Sequence, residues 1–197
     1  MSRVVAFLAA SALVLAGCDR GAGEGAQETA ANAVPSEAAG KALAEEVDRS
    51  LAGTALPPLQ FTDPEGNVLD LGTVEGPVLI NLWATWCAPC VVEMPALDEL
   101  ASVMEGEVRV LTISQDLRGA EVVGPFFAAR DFANLEQWLD PDNTLTEALA
   151  DGGALPVTVL FDAEGREILR VSGGYEWDSE EAIALVSEAL AEADSAS

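Results

Sequence analysis

Val78 to Trp83 is an almost unbroken apolar run, and the sequence Cys87-Ala88-Pro89-Cys90 follows it after one short turn. A run of that length with one polar residue fits a strand covered on both faces. From about Ala88 to Met104 the spacing predicts a helix, and Glu107 to Ser114 reads as the next strand. Strand, helix and strand in that order require a parallel, right-handed crossover. The expected class is therefore α/β, built around one central strand.

Cys87 falls at the strand-to-helix junction, where unpaired amides and the helix macrodipole favour a thiolate. It is the expected nucleophile. Cys90 lies one turn on, close enough to pair with Cys87 and deeper in the helix, which suits a resolving thiol. Pro89 occupies an early helical position, where a missing amide costs little. A structural disulfide across so short a loop would stabilise little. A metal clip would need further Cys or His ligands near the pair, and the chain has no histidine.

Composition narrows the chemistry further. The 197 residues carry 9 Lys+Arg against 34 Asp+Glu, a net charge of −25. Nucleic acid is excluded as a partner class, because a polyanion lacks the cations that displace phosphate counterions. Without imidazole there is no Ser-His-Asp or Cys-His machinery and no His-ligated metal. Asp140, Asp142 and Asp151 lack the pattern of a calcium loop, so no metal or other cofactor is expected beyond the cysteine pair itself.

The first residues read as an address. Arg3, the apolar run Val4 to Leu15 and the small residues before Cys18 form a secretory signal layout. A membrane span needs about 20 apolar residues, and Gly17, Cys18 and Asp19 interrupt this run. Leu15-Ala16-Gly17-Cys18 resembles the bacterial lipoprotein box, which implies a signal peptide over 1–17 and a lipid on Cys18; an ordinary cleaved signal is the alternative. Asp19 resembles an inner-membrane retention signal, so the implied place is the periplasmic side of the inner membrane. Residues 18–35 lack large apolar side chains and read as a flexible tether. Ala39, Leu43, Val47 and Leu51 predict a helix over Ser36–Ala52, within an N-terminal extension of 36–55.

The remaining chain, 56–197, reads as one domain. Turn residues Asp63 to Gly66 predict a hairpin between Leu59–Thr62 and Asn67–Leu69. Helices are expected near Val122–Arg130 and Thr144–Ala150, and a second hairpin joins Val157–Phe161 to Arg166–Val171. A last helix, from Asp178 to about Glu192, has Asp178 as its expected cap with Glu181 in the reciprocal position.

Asn81 to Leu97, with Trp83-Ala84-Thr85-Trp86-Cys87-Ala88-Pro89-Cys90 at its centre, resembles the TlpA-like and ResA-like branch of the thioredoxin superfamily. Asp151 to Leu160, containing Leu155-Pro156, and Gly174 to Asp178 resemble later segments of that family, so the likeness spans about Leu56 to Ala191. It implies a thioredoxin-like fold: a central mixed sheet flanked by helices, with an N-terminal hairpin and a central insertion. It also implies that Pro156 follows a cis peptide bond and lies against the CxxC, offering backbone atoms to a client strand. A plain turn proline before a strand is the alternative.

Glu93 lies one helical turn beyond Cys90, either as a solvated helix acid or pointing inward. In the inward case it would raise the cysteine pKa values and relay protons, the role given to its counterpart in ResA-like proteins. Trp86 is expected beside the disulfide on the docking surface, Trp83 in the core, and Trp138 and Trp177 as packing residues. Pro95 is expected to kink its helix.

The resemblance implies a thiol:disulfide oxidoreductase that reduces cysteine pairs of client proteins, either apocytochrome c or copper and cytochrome oxidase assembly factors. Its electrons would come from a membrane donor of DsbD or CcdA type. One alternative is a peroxiredoxin-type peroxidase, which needs a Thr and an Arg around an isolated attacking Cys. The other is a Sco-type copper chaperone, which needs a distal His that this chain lacks.

Overall fold

Strand β4 (Val78–Trp83) is buried at every position, between β5 (Arg109–Ser114) and β7 (Val157–Phe161). The structure, a computed structural model, describes residues 47–150 and 153–196. Strands β4 and β5 run parallel with Leu82 opposite Ile113 and Trp83 opposite Ser114, while β7 pairs antiparallel on the other side. Helix α1 (Ala88–Val103) makes the connection between β4 and β5, as the strand–helix–strand pattern requires.

The apolar run serves two cores because successive side chains leave a strand on opposite faces. Leu79 and Trp83 pack with Met94, Leu97 and Leu100 of α1 and with Val186 of α4 (Glu180–Ala196). Val78, Ile80 and Leu82 pack on the other face with Leu111, Val159 and Phe161. Leu145 and Leu149 of α3 (Thr144–Leu149) close that second core. Each fully buried side chain of this size contributes roughly 1.5–3 kcal/mol.

The hairpin expected near the start is β2 (Gln60–Thr62) with β3 (Val68–Asp70). Between β5 and β7 the insertion consists of α2 (Ala120–Ala128), β6 (Trp138–Leu139) and α3. Strand β8 (Glu167–Ser172) pairs with β7, and with β1 (Val47–Asp48) at its edge the sheet of eight strands among the described residues has the order β1-β8-β7-β4-β5-β6-β2-β3.

Two local expectations are corrected. Val47–Asp48, placed in a helix by spacing, is strand β1, with Val47 opposite Val171 and Asp48 opposite Arg170. Residues 36–46 of that expected helix lie outside the described residues. Edge pairing overrides local periodicity here: Gly53 N–H donates to Glu167 O, Glu167 N–H to Thr54 O, and Leu56 N–H to Gly165 O, so residues 47–56 line the open side of β8. The cap of α4 is Ser179, whose Oγ accepts Ala182 N–H at 3.1 Å, instead of Asp178. Helix α1 continues through Pro95 to Val103. Nothing in the sequence announces the short β6, since two residues carry no periodicity.

Arg170 and Glu167 form the one ion pair among the described residues in which both side chains are largely buried, at 2.6 Å and 12% and 0% exposed. Arg170 also donates to Leu149 O at the end of α3. Removing one member leaves a buried charge uncompensated, a loss of about 3 kcal/mol or more. Arg170→Met is therefore expected to lower the unfolding free energy by about that amount in urea titrations, well beyond the effect of Arg118→Met, whose exposed pair with Glu121 is worth at most about 1 kcal/mol.

Candidate redox site

The site forms where the parallel strands end. Past Trp83 the chain makes one turn, closed by Cys87 N–H donating to Ala84 O at 3.1 Å, and enters α1 with Cys87 as its N-cap. Cys87 Sγ accepts Cys90 N–H at 3.3 Å, so the sulfur sits on a free helix amide at the positive end of the helix dipole. Pro89 is in the first turn, where its missing donor is not needed. Cys87 and Cys90 are joined in a disulfide, with Cα atoms 5.3 Å apart. Cys90 is fully buried, whereas Cys87 keeps 6% of its surface in contact with solvent. A partner thiol can therefore reach only Cys87. Trp86 stands beside it, 68% exposed.

Glu93 points inward. It is buried on the inner face of the disulfide helix, where Asn81 Nδ2 donates to its Oε1 at 2.8 Å and Tyr175 N–H to its Oε2 at 3.1 Å. Burial pushes its carboxyl up to about 7; the hydrogen bonds from Asn81 and Tyr175 and the Trp177 indole draw it partly back. The Trp177 Nε1–H closes no hydrogen bond of ordinary geometry, so it acts as a nearby dipole. Asn81 also donates to Thr158 Oγ1 at 2.9 Å, tying β4 to β7 beneath the carboxylate.

The Leu155–Pro156 peptide bond is cis and Pro156 is buried. Its carbonyl accepts Gly173 N–H at 2.9 Å. Gly173 has φ 95°, a left-handed conformation that glycine adopts without steric cost. The next residues cross to the redox helix: a side chain on Gly174 would touch Pro89 at 3.6 Å, and Tyr175 N–H reaches Glu93. One short segment thus links Pro156 to Pro89 inside the CxxC and to Glu93 beyond it. It also walls a groove of about 560 Å³ beside the disulfide, lined by Pro89, Val92, Glu93 and Tyr175.

Cys87, Cys90 and Trp86 lie at one helix terminus, Glu93 lies one turn further along that helix, Pro156 precedes the strand paired with β4, and Cys18 lies outside the described residues. Sequence reasoning missed Asn81, Tyr175 and Trp177. Asn81 had a visible signal as the one polar residue in the apolar run of β4. Tyr175 acts through its backbone, which no side-chain pattern announces. Asp140 is spent on α3, accepting Thr144 N–H at 3.0 Å and Leu145 N–H at 2.8 Å. The described residues contain no group of three or more metal-ligating side chains.

The family model described as AhpC/TSA matches residues 52–169. The thiol-disulfide oxidoreductase ResA of Bacillus cereus is 29% identical over 122 residues, which is 61% of this chain and 69% of that protein. A DsbE-like thiol:disulfide interchange protein from Chlorobium tepidum superposes with a TM-score of 0.61 at 21% identity, covering 71% of this chain and 97% of that one. The exposed lipoprotein thioredoxin Etrx1 of Streptococcus pneumoniae gives 0.58 at 23%, covering 66% and 98%. At these identities the two structures speak for the fold. With the family model spanning more than half of the chain and the CxxC on its helix terminus, the chain belongs to the AhpC/TSA family, as a thioredoxin-fold thiol:disulfide oxidoreductase similar to ResA.

Proposed function

We propose that the chain is a lipid-anchored, extracytoplasmic reductase of client cysteine pairs, held by Cys18 at the periplasmic face of the inner membrane. The observation that carries this reading is the unequal exposure of the two cysteines at one helix N-terminus. In the reduced protein the Cys87 thiolate attacks a client disulfide: the Cys87–client S–S bond forms, the client S–S bond breaks, and the departing client thiolate takes a proton. Cys90 then gives up its proton and attacks Cys87 Sγ. The second client thiol leaves, Cys87–Cys90 closes, and two electrons have passed to the client. A membrane donor of DsbD or CcdA type restores the dithiol, and no further cofactor is needed. Pro156 and the groove at Tyr175 would receive the client strand, with Trp86 at its rim.

Glu93 suits the second step, because a carboxyl near pH 7 can take the Cys90 proton and release it at the pH of the compartment. The signal layout of residues 1–17, the tether 18–35 and the lipoprotein-box cysteine Cys18 support a membrane location. A tether of this length reaches about 60 Å when taut, which suits clients delivered at the membrane. Apocytochrome c and copper or cytochrome oxidase assembly factors are the proposed clients, since their cysteine pairs must be reduced before a metal or haem binds.

Cys90→Ser is expected to accumulate a mixed disulfide through Cys87 when offered a disulfide client, visible on non-reducing gels, and Cys87→Ser to accumulate none. Peroxide consumption should stay at the uncatalysed rate; catalytic consumption would favour the peroxidase reading instead. Glu93 gives a stability test. Its folded-state pKa of about 7 stands above the unfolded value of 4.5, so the folded state holds the proton more tightly. The resulting stabilisation is complete below about pH 4.5 and is lost as pH rises through 7, a fall on the order of 3 kcal/mol. Urea midpoints of the wild type should therefore decline from pH 5 to 8, and Glu93→Gln should flatten that decline.

A further inference from the structure

Asp116 follows the end of β5 and is only 4% exposed, yet its carboxylate belongs to neither core. Its Oδ2 accepts Thr85 N–H at 2.8 Å and Ser114 Oγ–H at 2.9 Å, and its Oδ1 accepts the Thr85 hydroxyl at 2.7 Å. The backbone on either side is pinned as well. Gln115 N–H donates to Trp83 O at 2.8 Å, and Asp116 O accepts Gly119 N–H at 2.8 Å. Asp116 is thus held by the sheet and holds both donors of Thr85. Thr85 lies inside the turn whose closing bond runs from Cys87 N–H to Ala84 O, and the residues that follow it are Trp86 and Cys87.

A buried carboxylate is an expensive way to fasten a loop unless its geometry matters. What it fastens here is the approach to the sulfur. The same contact sets both walls of a second groove, of about 350 Å³, with Thr85 and the exposed Trp86 on one side and Asp116, the exposed Leu117 and Arg118 on the other.

We propose that Asp116 is a positioning residue for thiol exchange: by occupying both donors of Thr85 it fixes the turn from Ala84 to Cys87, keeping the Cys87 sulfur on the Cys90 amide of α1 and Trp86 turned outward beside it. The proposal rests on the oxidoreductase reading and adds a residue outside the CxxC, its helix and Pro156. It is separable from a plain charge effect because the two act in opposite directions. A nearby negative charge disfavours a Cys87 thiolate, so neutralising Asp116 alone would lower the thiol's pKa. Loosening the turn takes the sulfur off the helix amides and would raise it. Arg118, which lines the same groove as Thr85 and Trp86, its ion-pair partner Glu121 and the buried Glu93 on α1 all stay in place in the variants below.

The test uses the reduced full-length chain, with insulin as disulfide substrate and the pH dependence of iodoacetamide alkylation reporting the Cys87 pKa. Asp116→Ala is expected to cut kcat/KM for insulin by about tenfold, the scale of a small misplacement of a reacting group, and to move the alkylation pKa upward. Asp116→Asn, which can still accept from Thr85 N–H, should restore a near-wild-type rate with a pKa at or below that of the wild type. Thr85→Val, which keeps the amide and loses the hydroxyl, should fall between. A wild-type rate in Asp116→Ala, a lowered pKa in that variant, or equal losses in the Ala and Asn variants would overturn the clamp. If Asp116→Ala does not fold, wild-type behaviour of Thr85→Val overturns it. Wild-type protein unable to reduce insulin would remove the oxidoreductase reading, while the alkylation pKa would still decide the clamp.

Discussion

A carboxyl group placed beneath an apolar helix must be surrounded by donors, and those of Glu93 come from parts of the chain far apart in sequence. Asn81 reaches it from β4 and Tyr175 from the segment after β8, while the dipole of Trp177 faces it. The disulfide helix, the central strand and the Pro156 side of the site are therefore registered on one buried group. If the helix moved by a turn, the carboxylate would lose both hydrogen bonds at once. The same group that orders the site also titrates near neutrality, so architecture and proton chemistry are tied together beneath the sulfurs.

The CxxC is placed by simpler means. A strand buried on both faces cannot shift its register without exposing a core, and Cys87 follows its last residue after one turn. The sulfur inherits its position from the sheet and its electrostatics from the helix. Neither depends on a flexible loop, in keeping with a group that must meet partner disulfides in one orientation.

Legibility in the sequence followed range. The central strand, helix α1, both hairpins and the cysteine pair lie in local patterns, and each is readable from them within a residue or two. Glu93 is half-readable: helical spacing gives its face, but only the packing of β8 and its following segment decides that the face is buried. Val47 misleads, because its spacing with Leu43 and Leu51 is helical while its real partner, Val171, lies far along the chain. Asp116 gives no sign for the same reason, since its partner Thr85 belongs to another element. Trp177 reads as a packing residue, and it does pack, 4.7 Å from Tyr175; its second task is invisible without the carboxylate in view.

The strand at Val47 has a mechanical meaning. Among the described residues β1 is the first to join the sheet, and it does so by just two register pairs, Val47 with Val171 and Asp48 with Arg170, before the turn at Arg49–Ala52. Those rungs sit at the rim of the sheet, far in strand order from the β4–β5 junction that carries the sulfurs. Loss of that rim would leave β8, β7 and β4 paired with one another, and with them the strand that leads to Cys87.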